Sequence, residues 1–117
     1  MMTVKEVAEQ VSISPSTIRY YDNQGLLPFV RRDKNGYRVF KENELFWLEL
    51  IRYMRKTGMP VKALQRIVHL QLKGNETLTD QIQIIEEHQE RLRKQIKEIE
   101  LSLIDLEDIK ILLEIQR

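Results

Sequence analysis

At 117 residues the chain has room for one small globular domain plus an extension. It contains no cysteine, which excludes disulfides, thiolate metal sites, iron–sulfur clusters and thiol-based redox sensing. Its net charge of +1 hides an asymmetry: residues 1–60 carry 10 Lys/Arg against 7 Asp/Glu, and residues 61–117 carry 9 against 11. No apolar run is long enough for a membrane span or a signal-peptide core, so a cytoplasmic location is expected.

The first helix signal comes at once. Thr3 followed by Glu6 has the spacing of a capping box, Met2 and Val7 are placed for a hydrophobic staple, and Val4, Val7, Ala8 and Val11 follow at helical intervals. Ser14-Pro15 reads as the cap and first position of a second short helix, which carries Ser16, Thr17, Ile18, Arg19, Tyr20 and Tyr21 and stops at Gly25. Two such helices separated by Ser12-Ile13 predict a helix-turn-helix.

Beyond Pro28 the chain reads as a hairpin. Val30-Arg31-Arg32 forms one arm, Tyr37-Arg38-Val39-Phe40 the other, and Asn35-Gly36 between them suits a type I′ turn. A hairpin after a helix-turn-helix is a wing. A third helix is expected from about Glu42 to Thr57, with Leu45, Leu48, Ile51 and Met54 along one side and Phe46, Trp47 and Leu50 broadening it. Gly58 ends it, Pro60 opens a fourth helix carrying Val61, Leu64, Ile67 and Val68, and Gly74-Asn75 breaks that in turn.

From Leu78 onward there is neither glycine nor proline. With Ile82 at position a of a heptad, the a positions are Ile82, Gln89, Ile96, Leu103 and Lys110. The d positions are Leu78, Ile85, Leu92, Ile99, Leu106 and Leu113. All six d residues are apolar, which predicts a coiled-coil helix that pairs two copies of the chain. Beyond Leu101 the apolar surface widens to Ile104, Ile109, Ile111, Leu112 and Ile115, so that end is expected to meet more than one neighbour. The expected fold is therefore mainly α: residues 1–75 form a winged helix-turn-helix head with a small β-hairpin, and residues 76–117 a long dimerisation helix.

The cations between Arg19 and Lys41 are Arg19, Arg31, Arg32, Lys34, Arg38 and Lys41, interleaved with Tyr20, Tyr21 and Tyr37 and opposed only by Asp22 and Asp33. Long cationic donors and hydroxyls on rigid elements suit a phosphate backbone, and Ser16, Thr17 and Arg19 lie where a recognition helix meets base edges. Read alone, an arginine-rich hairpin is equally a solvated sheet edge; the helix-turn-helix before it tips the reading toward nucleic acid.

Other residues carry less. His69 and His88 stand 19 positions apart without a converging ligand set, so no metal or cofactor is expected, and His88, at a g position, is expected solvated or interfacial. Trp47 with Phe46 and Tyr53 fits core packing better than an effector pocket. Gln89 and Lys110 either set register or face solvent. Without a phosphate loop, a nucleophile elbow or a cysteine nucleophile, the chain is not expected to be an enzyme.

Thr3-Val4-Lys5-Glu6-Val7-Ala8, Ser14 to Tyr21, Gly25-Leu26-Leu27-Pro28, Gly36-Tyr37-Arg38 and Thr57-Gly58-Met59-Pro60, in order and correctly spaced, resemble the MerR family of bacterial transcription regulators over residues 1–70. The resemblance implies a homodimer on a pseudo-palindromic promoter operator, which bends and untwists the DNA so that RNA polymerase engages both promoter elements. It implies DNA contacts by Thr17 and Arg19, phosphate contacts by Tyr20 and Tyr21, a wing contact by Arg38, and a backbone contact near Lys62 at the fourth helix's N-terminus. Members that sense metals or thiol-reactive species use cysteines, which this chain lacks. The expectation is thus a short form without a separate ligand domain, its effector unassigned. The competing reading is a coiled-coil interaction or architectural protein, similar to excision factors, whose head docks on a partner.

Overall fold

A computed structural model describes all residues, 1–117. The chain forms two compact units, Met1–Gln81 and Ile82–Arg117. In the first, β1 (Met2–Thr3) leads into α1 (Val4–Val11) and α2 (Pro15–Asn23); β2 (Arg31–Arg32) and β3 (Arg38–Phe40) follow, then α3 (Leu45–Lys56) and α4 (Val61–Lys73). The last helix, α5 (Leu78–Gln116), starts within the first unit and supplies nearly all of the second.

The helix ends follow local chemistry. The Glu6 amide donates to Thr3 Oγ1 and the Thr3 amide donates back to Glu6 Oε1, a complete capping box. Hydrogen bonding from the Thr3 amide, and then from its hydroxyl, holds the exposed Glu6 carboxyl below its ordinary pKa. Ser14 caps α2 by accepting from the Thr17 amide at 3.1 Å, with Pro15 at the first position. At the other end Gly25, at φ 75°, lets its amide reach Asp22 O while the Leu26 amide reaches Tyr21 O. That reversal drives Leu26 into the core; α3 closes the same way through Gly58, and Met59 is buried in turn.

The wing differs from the sequence expectation. Asn35 does not have positive φ, so the turn is not type I′. The Gly36 amide bonds to Asp33 O around Lys34-Asn35, and only Gly36, at φ 83°, takes the left-handed conformation. Asp33 accounts for the difference: its Oδ1 accepts from the amides of Asn35 and Tyr37 at 2.9 and 3.0 Å, caging a type I turn. A third strand also appears. β1 pairs antiparallel with β3 in the register Met2↔Phe40 and Thr3↔Val39, so β3 is the central strand in the order β1-β3-β2.

The expected third helix opens instead with a 3-10 turn, Glu42–Glu44, and its α-helical part runs from Leu45 to Lys56. Lys41 offers no side-chain cap. The Glu44 carboxylate substitutes by accepting from the Lys41 amide at 3.0 Å. Val7, Ile18, Leu26, Leu27, Phe40, Leu48, Ile51, Met59 and Leu64 form the fully buried centre of the head. Trp47 Nε1 donates to Leu26 O at 3.1 Å and Gln65 Nε2 to Gln24 O at 2.9 Å, fastening α3 and α4 to the segment that ends α2. Thr77 precedes α5, its buried hydroxyl 2.7 Å from Leu70 O and 2.8 Å from Gly74 O.

α5 is 39 residues of unbroken helix, about 58 Å at 1.5 Å per residue. Ile96, Ile99, Leu103, Leu106 and Leu113 are exposed along it, as is Ile82, while Ile85 and Leu92 are half-buried. His88 is not solvated: it is 7% exposed and its Nδ1 lies 3.1 Å from Arg91 Nη2. No helix is long and apolar enough to cross a membrane.

Candidate nucleic-acid interface

The side chains singled out on α2 occupy different environments. Ile18 and Tyr21 are buried and hold the helix to the head, which leaves Ser16, Arg19 and Tyr20 on its exposed side. Thr17 is half-buried; Ser14 Oγ donates to its Oγ1 at 2.8 Å and lies 3.1 Å from Ser16 Oγ, so the first turn is internally braced. Arg19 is exposed and makes no ion pair. Of the adjacent tyrosines, Tyr20 is the accessible one, at 46%, and Tyr21 turns inward at 6%, their rings 6.1 Å apart. The Tyr21 ring is therefore packed into the core of the head. Burial pushes its phenol above the ordinary pKa, partly offset by the cations of Arg55 and Arg52.

The wing places its cations unequally. Tyr37 is 70% exposed. Arg32 is exposed, with Nη1 held by Gly36 O at 2.7 Å, which fixes the side chain along the turn and keeps its charge unneutralised. Arg31 is paired with Glu44 at 2.8 Å. Arg38 departs furthest from the expectation of a free DNA contact: its Nε donates to Asp22 Oδ2 at 2.6 Å and its Nη2 to Asn23 Oδ1 at 3.0 Å, both on the last turn of α2. Only 12% of that side chain is exposed.

Wing and helices meet in a cleft of about 340 Å³ lined by Lys5, Arg19, Arg32, Tyr37 and Arg38, with Thr3, Val4, Asp33, Gly36 and Val39. Arg19, Arg32, Tyr37 and Arg38 are thus brought together, whereas Arg31 and Lys62 are not among its walls. Asp33, the acid in the cleft, spends one carboxylate oxygen on the wing's own amides. Sequence reasoning misses Lys5, which sits inside the capping box without taking part in it; a lysine in the first turn, against the helix dipole, is the signal that points to it. Lys62 is exposed in the first turn of α4, whose N-cap Pro60 supplies no side-chain bond.

A second hollow, of about 290 Å³, is lined by Pro28, Phe29, Trp47, Val68 and Leu72 with Asn43, Glu44 and Gln71. Phe46 and Tyr53 point elsewhere and are exposed at 69% and 55%, so the three aromatics of α3 do not converge. No group of three or more His, Asp or Glu side chains is placed to hold a metal.

With this geometry in hand, the chain matches two family models: "MerR HTH family regulatory protein" over residues 2–71, and "MerR, DNA binding" over residues 45–109. It is 35% identical over 105 residues to an HTH-type transcriptional regulator of Haemophilus influenzae, covering 90% of this chain and 78% of the relative. Among solved structures it is similar to HiNmlR, a MerR family regulator lacking the sensor domain and bound to promoter DNA. That match has a TM-score of 0.70 at 35% identity and covers 93% of this chain and 86% of the other. A MerR family regulator from Bacillus thuringiensis superposes with a TM-score of 0.70 at 30% identity, covering 92% and 94%.

Proposed function

The chain belongs to the MerR family of DNA-binding transcriptional regulators, and from that premise we propose that it acts in the cytoplasm as a homodimer on a pseudo-palindromic promoter operator. In this reading α2 enters the major groove, with Ser16, Thr17 and Arg19 toward base edges and Tyr20 toward phosphate. Arg32 and Tyr37 of the wing, with Lys5, follow the adjacent backbone, and Lys62 at the start of α4 meets a further phosphate. Ile82, Ile85, Leu92, Ile96, Ile99, Leu103, Leu106 and Leu113 pair the two copies. The dimer regulates by bending and untwisting the promoter so that RNA polymerase engages both of its elements.

The observation that carries this reading is the shared cleft in which an unpaired Arg19 on α2 faces an unneutralised Arg32 and an exposed Tyr37 on the wing. Selection from a pool of random duplexes tests it: a two-fold symmetric consensus is expected, bound in a strongly salt-dependent manner. Recovery of no preferred sequence would overturn it. Charge reversal at Arg19 and Arg32 separates this reading from the docking alternative, which expects function to survive the change.

A further inference from the structure

Arg38 lies at the junction of the two elements that define the proposed DNA surface, yet its guanidinium is spent inside the protein. One edge of the group, Nε and Nη2, is taken by Asp22 and Asn23. The Asp22 side chain is itself only 22% exposed, so the pair is partly shielded from solvent. Strand register gives the reason for a carboxylate at this place. Arg32 and Arg38 are directly opposite on β2 and β3, and two guanidiniums across an antiparallel pair repel. Asp22 neutralises one of them and draws it toward α2, leaving Arg32 without an ion pair. A second pair, Arg31 to Glu44, ties the other arm of the wing to the turn before α3.

We propose that Arg38 is a positioning residue, with Asp22 as its partner: the pair latches the wing to the recognition helix and sets the spacing between Arg19 and the wing's Arg32 and Tyr37. The proposal rests on the DNA-binding reading above and assigns Asp22, an acid beside a polyanion's binding surface, a positive role in binding. Simple electrostatics gives the opposite sign. Removing a negative charge from a DNA-facing surface strengthens attraction to any duplex, whereas unlatching the wing weakens binding to the preferred sequence.

The test uses the full-length protein and the duplex recovered by selection with the wild type. Asp22→Asn, which keeps the side chain's shape, is expected to lower affinity for that duplex roughly tenfold, the size of effect that coupled neighbours commonly carry. Affinity for random-sequence DNA is expected to hold or rise, because every phosphate ligand is still present and one negative charge has gone, and the slope of log K against log salt is expected to stay at the wild-type value. The charge-swapped pair, Asp22→Arg with Arg38→Asp, is expected to recover binding that either single change loses, and denaturant melts run in parallel identify any variant that fails to fold. The proposal is overturned if Asp22→Asn binds the duplex as well as or better than wild type. It is equally overturned if Arg38→Gln flattens the salt slope by the increment of one phosphate ligand per subunit, since Arg38 then grips the DNA backbone itself. A wild-type protein that selects no duplex sinks the DNA-binding reading instead.

Discussion

Single side chains in this head divide by what their charges face. Arg19 is exposed and makes no ion pair within the chain, so replacing it leaves the fold intact and probes the proposed DNA contact directly. Arg19→Ala is expected to cost about 1–3 kcal/mol of operator affinity and to relax sequence preference at one position in each half-site, read by anisotropy titrations with base-substituted duplexes. Lys62→Ala is expected to weaken all sequences alike. Its salt slope should fall by about 0.9 for each phosphate left unneutralised, hence about twice that for a dimer. An unchanged slope would remove Lys62 from the interface. Tyr21 offers a different handle. Its phenol is raised above 10.0 by burial, so the folded state holds its proton where the unfolded chain has begun to release it. The resulting stability is intact below pH 10 and is lost as pH climbs through the raised value. Urea melts from about pH 9 to about pH 12 should show this loss in the wild type and a shallower loss in Tyr21→Phe, which has no proton to give up there.

Elements depend on caps and on stripes. Ser14 satisfies the Thr17 amide and braces Thr17 Oγ1, so Ser14→Ala is expected to destabilise the head by about 1 kcal/mol in denaturant melts and to loosen the first turn of the recognition helix. In α5 the exposed a and d residues are the proposed pairing seam, and Ile99→Glu with Leu106→Glu is expected to give monomers in sedimentation velocity. Leu101, Ile104, Ile111 and Ile115 are also exposed, and they lie roughly 150° round the helix from that seam at 3.6 residues per turn. A two-stranded coil covers one stripe only, which is why this end is expected to meet more than one neighbour. The caps of α1 and α2 are legible in the sequence because each rests on residues three apart, whereas the start of α3 is not, since Glu44 stands in for a cap that Lys41 does not supply. β1 is not, since Met2–Thr3 is too short to show alternation and exists only because β3 lies beside it. The turn departs from its motif because Asn35-Gly36 is a local signal that Asp33, one residue outside the pair and its loop neighbour, overrides. The cations of the candidate site are legible as a group. Their engagement is not, because Arg38 and Arg31 find acids 16 and 13 positions away.

At the scale of the whole molecule, charge and length are divided between the two units. Met1–Gln81 carries 13 Lys/Arg against 9 Asp/Glu, a balance of +4, while Ile82–Arg117 carries 6 against 9, a balance of −3. The cationic unit is the one with the cleft, and the acidic unit is repelled by DNA, so approach to the duplex is biased toward the head. In the proposed dimer two heads are linked through α5, so the distance between half-sites carries an energy. Inserting one base pair at the operator centre lengthens the site by about 3.4 Å and rotates one half-site about the duplex axis, which two linked heads answer by deforming either the protein or the DNA. In the proposed mechanism the response is untwisting, which in a promoter brings its two elements toward one face. Two measurements follow from this. Relaxation of a plasmid carrying the operator with topoisomerase should yield a reduced linking number when the dimer is bound, and no change with random-sequence plasmid. A promoter whose spacer has been shortened by about two base pairs, roughly 70° of B-form twist, should fire without the protein and gain nothing from its addition. Unchanged linking number together with undiminished activation of the shortened promoter would show that the dimer grips the duplex without distorting it.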